Sequence, residues 1–594
     1  MKRRVADIIV ETLVECGVDD CFCVVGGGAM FLDNALALNK EIKTYFNHHE
    51  QACAIAAEAY ARIKERPALV CATSGPGAVN AMNGVVGAYV DSIPMVVITG
   101  NVRTDISVAS SGLPLRYRGV QEFDVIPAVK GFTKYAVTIW DPKDAKAIVK
   151  KAYAAAMHGR RGPVWIDVPL DIQSALVDKD ELNEIKGEQT CLVPDEADVE
   201  RVFEELNKAK RPVVLAGTGI VTGGARGAFL DLMKRLRVPV VGEAQNPDVL
   251  GNENEWFYGL SGNAGPRTGN YVIQNADVIV VLADSLNFRQ TGFCPESFAP
   301  NARIVMVDAD RNEMLKLDKP PAIFVECDIK EFLKIANQKK LEASCSAEWK
   351  GHCDMIRETF DPYEGAAGAK PEERVSQYVF WKAFNDIAAD DIVVALGNNT
   401  AICAKMQVGK RTDEQRVVAN NAFGSMGYDL PAAIGACVAS GRETVCATGD
   451  GSVMMNLQEL QTIAHYQLPI KVVVFLNEGY GTIRLTSDNY FDGLYFGCSE
   501  ETGLSFPDFK KVAEAFGLPF YEISNNSEVQ GVLKGFLKAS GPAMLTVCER
   551  LVDPLIPKLG GSKRPDGTLA APRFEELAPF IDEDVARAMM PDWS

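Results

Sequence analysis

The chain has 594 residues, 47% of them hydrophobic and 24% charged, with a formal net charge of −18. That length suggests three or four domains of ordinary size, and the composition is that of a soluble globular protein. So acidic a chain, without basic blocks or low-complexity tracts, is a poor partner for nucleic acid or an anionic membrane. No run approaches the ~18–20 apolar residues needed to cross a bilayer. The start, MKRRVADIIVETLVECGV, is interrupted by Asp7, Glu11 and Glu15 and reads as an amphipathic helix, not a signal peptide. The 15 cysteines lack a CxxC and the five histidines lack metal-ligand spacing. That pattern is expected of reduced, mostly buried thiols in the cytoplasm.

In chain order, Val5–Cys16 reads as a helix and Cys21–Val25 as a strand. Gly26-Gly27-Gly28 follows, which is not the G-x-G-x-x-G dinucleotide fingerprint. The strand Ile42–Phe46 runs into Asn47-His48-His49-Glu50, then a helix rich in alanine whose small side chains suit close packing. Ala68–Thr73 and Pro94–Thr99 are strands, with a helix opened between them by Ser74-Gly75-Pro76-Gly77. Such alternation means a parallel, doubly wound sheet. Val177–Asp198 is polar and is expected to be a linker. Strands near Arg211–Ala216, Val238–Gly242, Val278–Ala283 and Arg303–Asp308 form a second α/β unit. Glu326–Pro371 reads as helix plus linker, and a third unit opens near Glu373 with a strand at Ile392–Leu396.

Within that third unit, Thr444–Thr448 and Lys471–Leu476 are strands flanking Gly449-Asp450-Gly451-Ser452. Val453, Leu457, Leu460 and Ala464 share one helical face, so one helix is expected from near Ser452. Asp450 and Asn477, 27 residues apart, end neighbouring parallel strands, where ligands bind in open α/β sheets. A carboxylate and an amide oxygen suit Mg²⁺, which keeps positions for waters and phosphates. The alternative is a plain βαβ turn in which the glycines serve backbone geometry alone.

GDGS followed by Asn477 resembles the GDG…N motif of thiamine diphosphate (ThDP) enzymes, and HHEQACAIAAEAYAR resembles their catalytic-glutamate segment. Ser74–Gly100, GVQEFDVIPAVKGFTKYA from Gly119 and GPVWIDVPLDI (Gly162–Ile172) resemble the acetolactate synthase group. The likeness runs from about Val5 to Pro557. It implies an α/β fold of three doubly wound parallel-sheet domains: a pyrimidine-binding domain at 1–176, a central Rossmann-like domain at 196–340, and a diphosphate- and Mg²⁺-binding domain at 371–550, with a tail at 551–594.

The resemblance also implies the site. Mg²⁺ would be held by Asp450, Asn477 and the Gly479 carbonyl. Glu50, Gln121 and Met426 would be catalytic: Glu50 hydrogen-bonded to N1′ of the aminopyrimidine, Gln121 as the group's active-site glutamine, Met426 bending the cofactor. The cofactor shell would be Glu50, Ser74, Asn80, Asn398, Asn399, Gly424, Met426, Gly449, Asp450, Gly451, Ser452, Asn477, Gly479 and Tyr480. The family's usual Gln-His is here Asn398-Asn399. The central domain of such enzymes holds FAD, ADP or nothing. Gly217-Thr218-Gly219, Asn287-Phe288-Arg289 and Asp308-Ala309-Asp310 stand where acetolactate synthases contact FAD, but their Gly-Met-His-Gly is here Gly259-Leu260-Ser261-Gly262. Glu50 of one chain would face Asp450 of another, in a homodimer or homotetramer.

The function so implied is decarboxylation of a 2-keto acid, pyruvate foremost, and ligation of the two-carbon unit to a carbonyl acceptor. Acetolactate synthases carry Gln-Trp where this chain has Leu485-Thr486, and Phe where it has Val120. Both changes enlarge the acceptor pocket and point to a bulky acceptor such as a keto-sugar nucleotide. The alternatives are an ordinary acetolactate synthase, a non-ligating decarboxylase, and a non-catalytic cofactor-binding subunit. The Pro- and Gly-rich tail after Val552 is a candidate cap for the active-site mouth.

Overall fold

Most strands of the three large sheets, such as Val278–Leu282 and Ile470–Leu476, are short apolar runs rich in β-branched residues, as buried parallel strands require. The computed structural model describes residues 2–184, 191–243, 246–398, 400–560, 562–563, 569–570 and 572–593. It contains three six-stranded sheets, all parallel.

The first sheet runs, edge to edge, Lys43–Phe46, Asp20–Cys23, Leu69–Ala72, Met95–Asn101, Pro163–Pro169, Tyr135–Thr138. The third runs Arg416–Ala419, Val393–Leu396, Thr444–Gly449, Ile470–Leu476, Ala543–Cys548, Phe520–Ile523. Both share the order 2-1-3-4-6-5, so each reverses direction between its first and third strands. The central sheet runs Phe257–Ser261, Val240–Glu243, Pro212–Ala216, Val278–Leu282, Arg303–Asp308, Ile323–Glu326. Its order is 3-2-1-4-5-6, that of the dinucleotide-binding fold, with the reversal between Pro212–Ala216 and Val278–Leu282. Crevices at such reversals are where these sheets take ligands.

The first and third sheets share one hydrophobic core. Two alanine-rich helices, Glu50–Lys64 and Asp429–Ser440, join them. A Cβ at Gly435 would collide with the Ala56 carbonyl, so the glycine is what lets these backbones meet. A buried polar cluster seals the contact: Tyr428 donates to Glu58 Oε2 at 2.6 Å, Asn420 to Glu58 Oε1 at 3.1 Å and Arg62 Nε to Glu58 Oε1 at 2.8 Å, while Arg62 also pairs with Asp91.

The structure corrects two expectations. The single helix from near Ser452 is broken into Asp450–Val453 and Glu459–Tyr466. Between them Asn456 donates to the Gly427 carbonyl at 2.7 Å, drawing that turn onto the 424–428 segment. The linker is not wholly unstructured. Leu176–Asp178 pairs antiparallel with Lys2–Arg4, and a helix already begins at Glu196. Of the tail's described residues, Leu551 and Val552 line a cavity that also includes Asp450. Asp553 accepts the Gln377 N–H of the third domain at 2.8 Å; farther along, the tail packs on the central domain, where Arg267 donates to the carbonyls of Leu577 (2.9 Å) and Pro579 (2.6 Å) and Trp593 donates to Asn275 at 2.9 Å.

Candidate active site

At the third-sheet reversal the Thr444–Gly449 strand ends in Gly449, and Asp450 opens a short helical turn. Asp450 is fixed by backbone donors: Gly451 N–H to Oδ1 at 2.8 Å, Glu478 N–H to Oδ2 at 2.7 Å and Gly479 N–H to Oδ2 at 3.3 Å. Burial pushes its carboxyl up to about 6 against these hydrogen bonds. Asn477, ending the next strand, is 3% exposed; its Nδ2 donates to Glu549 at 3.3 Å, and its Oδ1 is buried without a hydrogen-bond partner. A buried acceptor left open costs free energy, and a cation would satisfy it. The residues therefore fit Mg²⁺ at this corner.

The surroundings fit a bound diphosphate. Tyr480 lies so close over Gly451 that a Cβ there would strike its ring. Ser452 donates to the Asp429 carboxylate and accepts the Gly427 N–H at 2.9 Å, tying the Asp450 turn to the segment carrying Met426. Met426 is half-buried, its methyl end 3.4 Å from where a Gly451 Cβ would be. Gly424 adopts a left-handed φ of 65° and its carbonyl accepts Asn398 Nδ2 at 2.6 Å. Gly479 passes tightly between the Cys498 carbonyl and Arg484, where no side chain fits. Asn399 lies outside the described residues.

The first-sheet reversal gathers the other half. Glu50 begins its helix, 8% exposed, with Oε2 accepting Asn80 Nδ2 at 3.0 Å. A Cβ at Gly77 would lie 3.0 Å from Oε1, so the glycine leaves room beside that oxygen. Ser74 is buried against Gly28. Gln121 is exposed, has a φ of 59°, and sets its carbonyl against Gly75. Ser74, Asn80, Glu50 and Gln121 thus share one sheet edge, whereas Asp450, Asn477, Gly479, Tyr480 and Met426 share another. No hydrogen bond joins Glu50 to Asp450 among the described residues.

One residue outside the expected set positions Glu50. Glu459, fully buried, accepts Asn47 Nδ2 at 2.8 Å and the His48 N–H at 2.9 Å, so the third domain holds the loop that delivers Glu50. Its sequence signal is faint: an acidic residue inside an otherwise apolar helical pattern.

The central reversal forms a separate cavity lined by Thr218, Gly219, Glu243, Asn287, Asp308 and Arg160, among others. Glu243 lines it beside the Thr218 turn. Its Oε2 accepts the Thr218 N–H at 3.0 Å and hydroxyl at 2.6 Å, and its Oε1 accepts Asn287 Nδ2 at 3.2 Å. Arg160 is bound to Asp310 and Glu313. The donors a dinucleotide diphosphate needs are thus held by an internal carboxylate, and these residues do not fit the diphosphate of FAD.

Three parallel sheets, with an acid–amide cation corner on one and a buried glutamate on another, define a two-domain cofactor site flanking a Rossmann-like domain. Comparison with known proteins gives the same division. The thiamine pyrophosphate enzyme N-terminal TPP binding domain matches residues 3–125, the central domain 199–335 and the C-terminal TPP binding domain 395–547. Probable acetolactate synthase 2, chloroplastic, of Oryza sativa subsp. japonica is 31% identical over 588 residues, covering 95% of this chain and 86% of its own. The acetolactate synthase isozyme 1 large subunit of Escherichia coli (strain K12) is 28% identical over 557 residues, covering 93% and 95%. The chain belongs to the thiamine pyrophosphate enzymes, in the acetolactate synthase-like group, and is a ThDP-dependent enzyme. No helix among the described residues is long and apolar enough to cross a membrane.

Proposed function

We propose that this enzyme decarboxylates a 2-keto acid, pyruvate foremost, and joins the two-carbon unit to a carbonyl acceptor larger than pyruvate, using ThDP and Mg²⁺. The observation that carries the metal-assisted reading is the unpartnered, buried Asn477 Oδ1 at the end of the strand neighbouring Asp450. Asp450, Asn477 and the Gly479 carbonyl would hold the cation, with the Gly449–Ser452 turn against the diphosphate. ThDP, when bound, supplies the electron sink for loss of CO₂. The protein's part is orientation and proton placement. Asn80 occupies Glu50 Oε2, leaving Oε1, beside Gly77, to hold the proton. Met426 presses an adaptable apolar end over the Asp450 turn. Gln121 stands at the substrate side of the Ser74–Gly77 turn.

The acceptor reading rests on Val120, 84% exposed, and Thr486, exposed on the Gly481–Tyr490 helix with its hydroxyl turned back to the Thr482 carbonyl at 3.0 Å. Both side chains are small and exposed, which supports an acceptor such as a keto-sugar nucleotide. The test is a CO₂-release screen of 2-keto acids with and without keto-acid and keto-sugar acceptors. Efficient acetolactate formation with refusal of every bulky acceptor would replace this reading with an ordinary acetolactate synthase.

The absence of a hydrogen bond between Glu50 and Asp450 among the described residues supports an assembly in which a second copy completes each site, as a homodimer or homotetramer. The central domain is proposed to hold no flavin, because Glu243 holds the Thr218 N–H and hydroxyl. Flavin absorbance in stoichiometric amount in the isolated protein would refute this.

A further inference from the structure

Cys23 and Cys71 face each other in register on the two parallel strands flanking the first-sheet reversal. In-register neighbours project to the same face, so the two thiols meet. Asp33, in the Met30–Leu38 helix, supplies a third corner, with Oδ1 3.9 Å from each Sγ. The three donor atoms lie within 4.8 Å of one another. Each cysteine is 1% exposed and Asp33 is half-buried. A surface cavity lined by Cys23, Asp33, Lys40 and Lys43 reaches the cluster. None of the three belongs to the ThDP site.

Thiols are weak donors, and two of them directed at one carboxylate oxygen at 3.9 Å gain little. Spacing and donor type suit a cation better. Tetrahedral zinc, with Zn–S of about 2.3 Å and Zn–O of about 2.1 Å, puts S···O edges near ~3.6 Å and the S···S edge near ~3.8 Å. The observed S···O separations of 3.9 Å need to shorten by only about 0.3 Å to match.

We propose that Cys23, Cys71 and Asp33 form a three-ligand site for a thiophilic divalent cation such as Zn²⁺, with water from the cavity in the fourth position. Binding forms two metal–sulfur bonds and one metal–oxygen bond and releases both thiol protons to solvent; no electron is transferred. The loaded cluster carries one net negative charge, which Lys40 and Lys43 on the cavity wall offset. Asp33 Oδ2 also accepts the Gly26 N–H at 3.1 Å, and the Gly28 N–H donates to the Thr73 hydroxyl at 3.0 Å. The cation would therefore clamp the Gly26–Gly28 loop and both strands behind the edge that carries Ser74. This is a structural role, distinct from the Mg²⁺ corner on the third sheet.

The test uses the full-length reduced chain, freed of metal and titrated with Co²⁺. One equivalent per chain should give a thiolate-to-cobalt charge-transfer band in the near ultraviolet, which Zn²⁺ abolishes. Cys71→Ser and Cys23→Ser should each lose that band, while Cys16→Ser keeps it. Asp33→Asn, nearly isosteric and apt to fold where the serine variants do not, should weaken Co²⁺ binding by about tenfold or more. Zn²⁺ should raise the thermal midpoint of the wild type and not that of Asp33→Asn. Absence of the band in the reduced wild type, or a band unchanged in all three cluster variants, would overturn the site.

Discussion

Glu50 and Asp450 are the two residues at which the proposed chemistry is most exposed to test. Glu50 is held by one amide and has open space beside its other oxygen. Glu50→Gln keeps shape and the Asn80 contact but cannot relay a proton. It should retain fold, Mg²⁺ and ThDP binding while losing ~10²–10⁴-fold in CO₂ release. Near-normal turnover would remove Glu50 from the mechanism. At the other edge, Asp450 is the one formally charged member of the proposed cation set. Asp450→Ala should lose Mg²⁺ and ThDP together, read as abolished Mg²⁺-dependent ThDP binding by calorimetry. Tight ThDP binding with Mg²⁺ retained in that variant would place the cation elsewhere.

At the scale of elements, the broken helix after Asp450 is followed by the Gly481–Tyr490 helix, which carries Thr486. Thr486→Trp adds a large ring to the exposed face of the latter. If a bulky acceptor packs there, overpacking of ~1–3 kcal/mol should depress its use. That corresponds to roughly 5–150-fold. Donor decarboxylation, proposed to be set by Glu50, Gln121 and Met426, should change far less. Competition between pyruvate and a keto-sugar acceptor, in wild type and variant, gives the answer; equal loss with both acceptors would point to disturbed folding rather than a filled pocket. The crossing of Glu50–Lys64 with Asp429–Ser440 works differently. It is buried, alanine-lined and cemented by Glu58, and it packs the helix begun by Glu50 against the helix that follows the Met426 segment.

At the scale of the whole molecule, the two half-sites predict complementation. Co-expressed Glu50→Gln and Asp450→Ala chains are each inactive alone. In a dimer with sites between chains, random pairing makes half the dimers mixed, each with one intact site, so about a quarter of wild-type activity should return. Sites built within one chain would return none.

The sequence alone pointed to three parallel-sheet units and to the strand-end positions of Asp450, Asn477 and Glu50, because those signals are local. Runs such as Lys471–Leu476 can only be buried strands, and Asp450, Asn477 and Glu50 sit at strand ends that chain order fixes. Tertiary structure decided what depends on residues far apart in the chain. Asn456 breaks a helix whose apolar period is intact, because its amide finds the Gly427 carbonyl. Glu459 grips Asn47 across more than 400 positions, and Glu243 closes the Thr218 turn that by motif alone looks ready for a phosphate. Cys23, Asp33 and Cys71 have no metal spacing in sequence; only the register of two parallel strands and one helix brings them together. Periodicity reports which face of an element is buried. It carries no information about which polar group across the interface will satisfy which, and that pairing is settled only when the sheets pack.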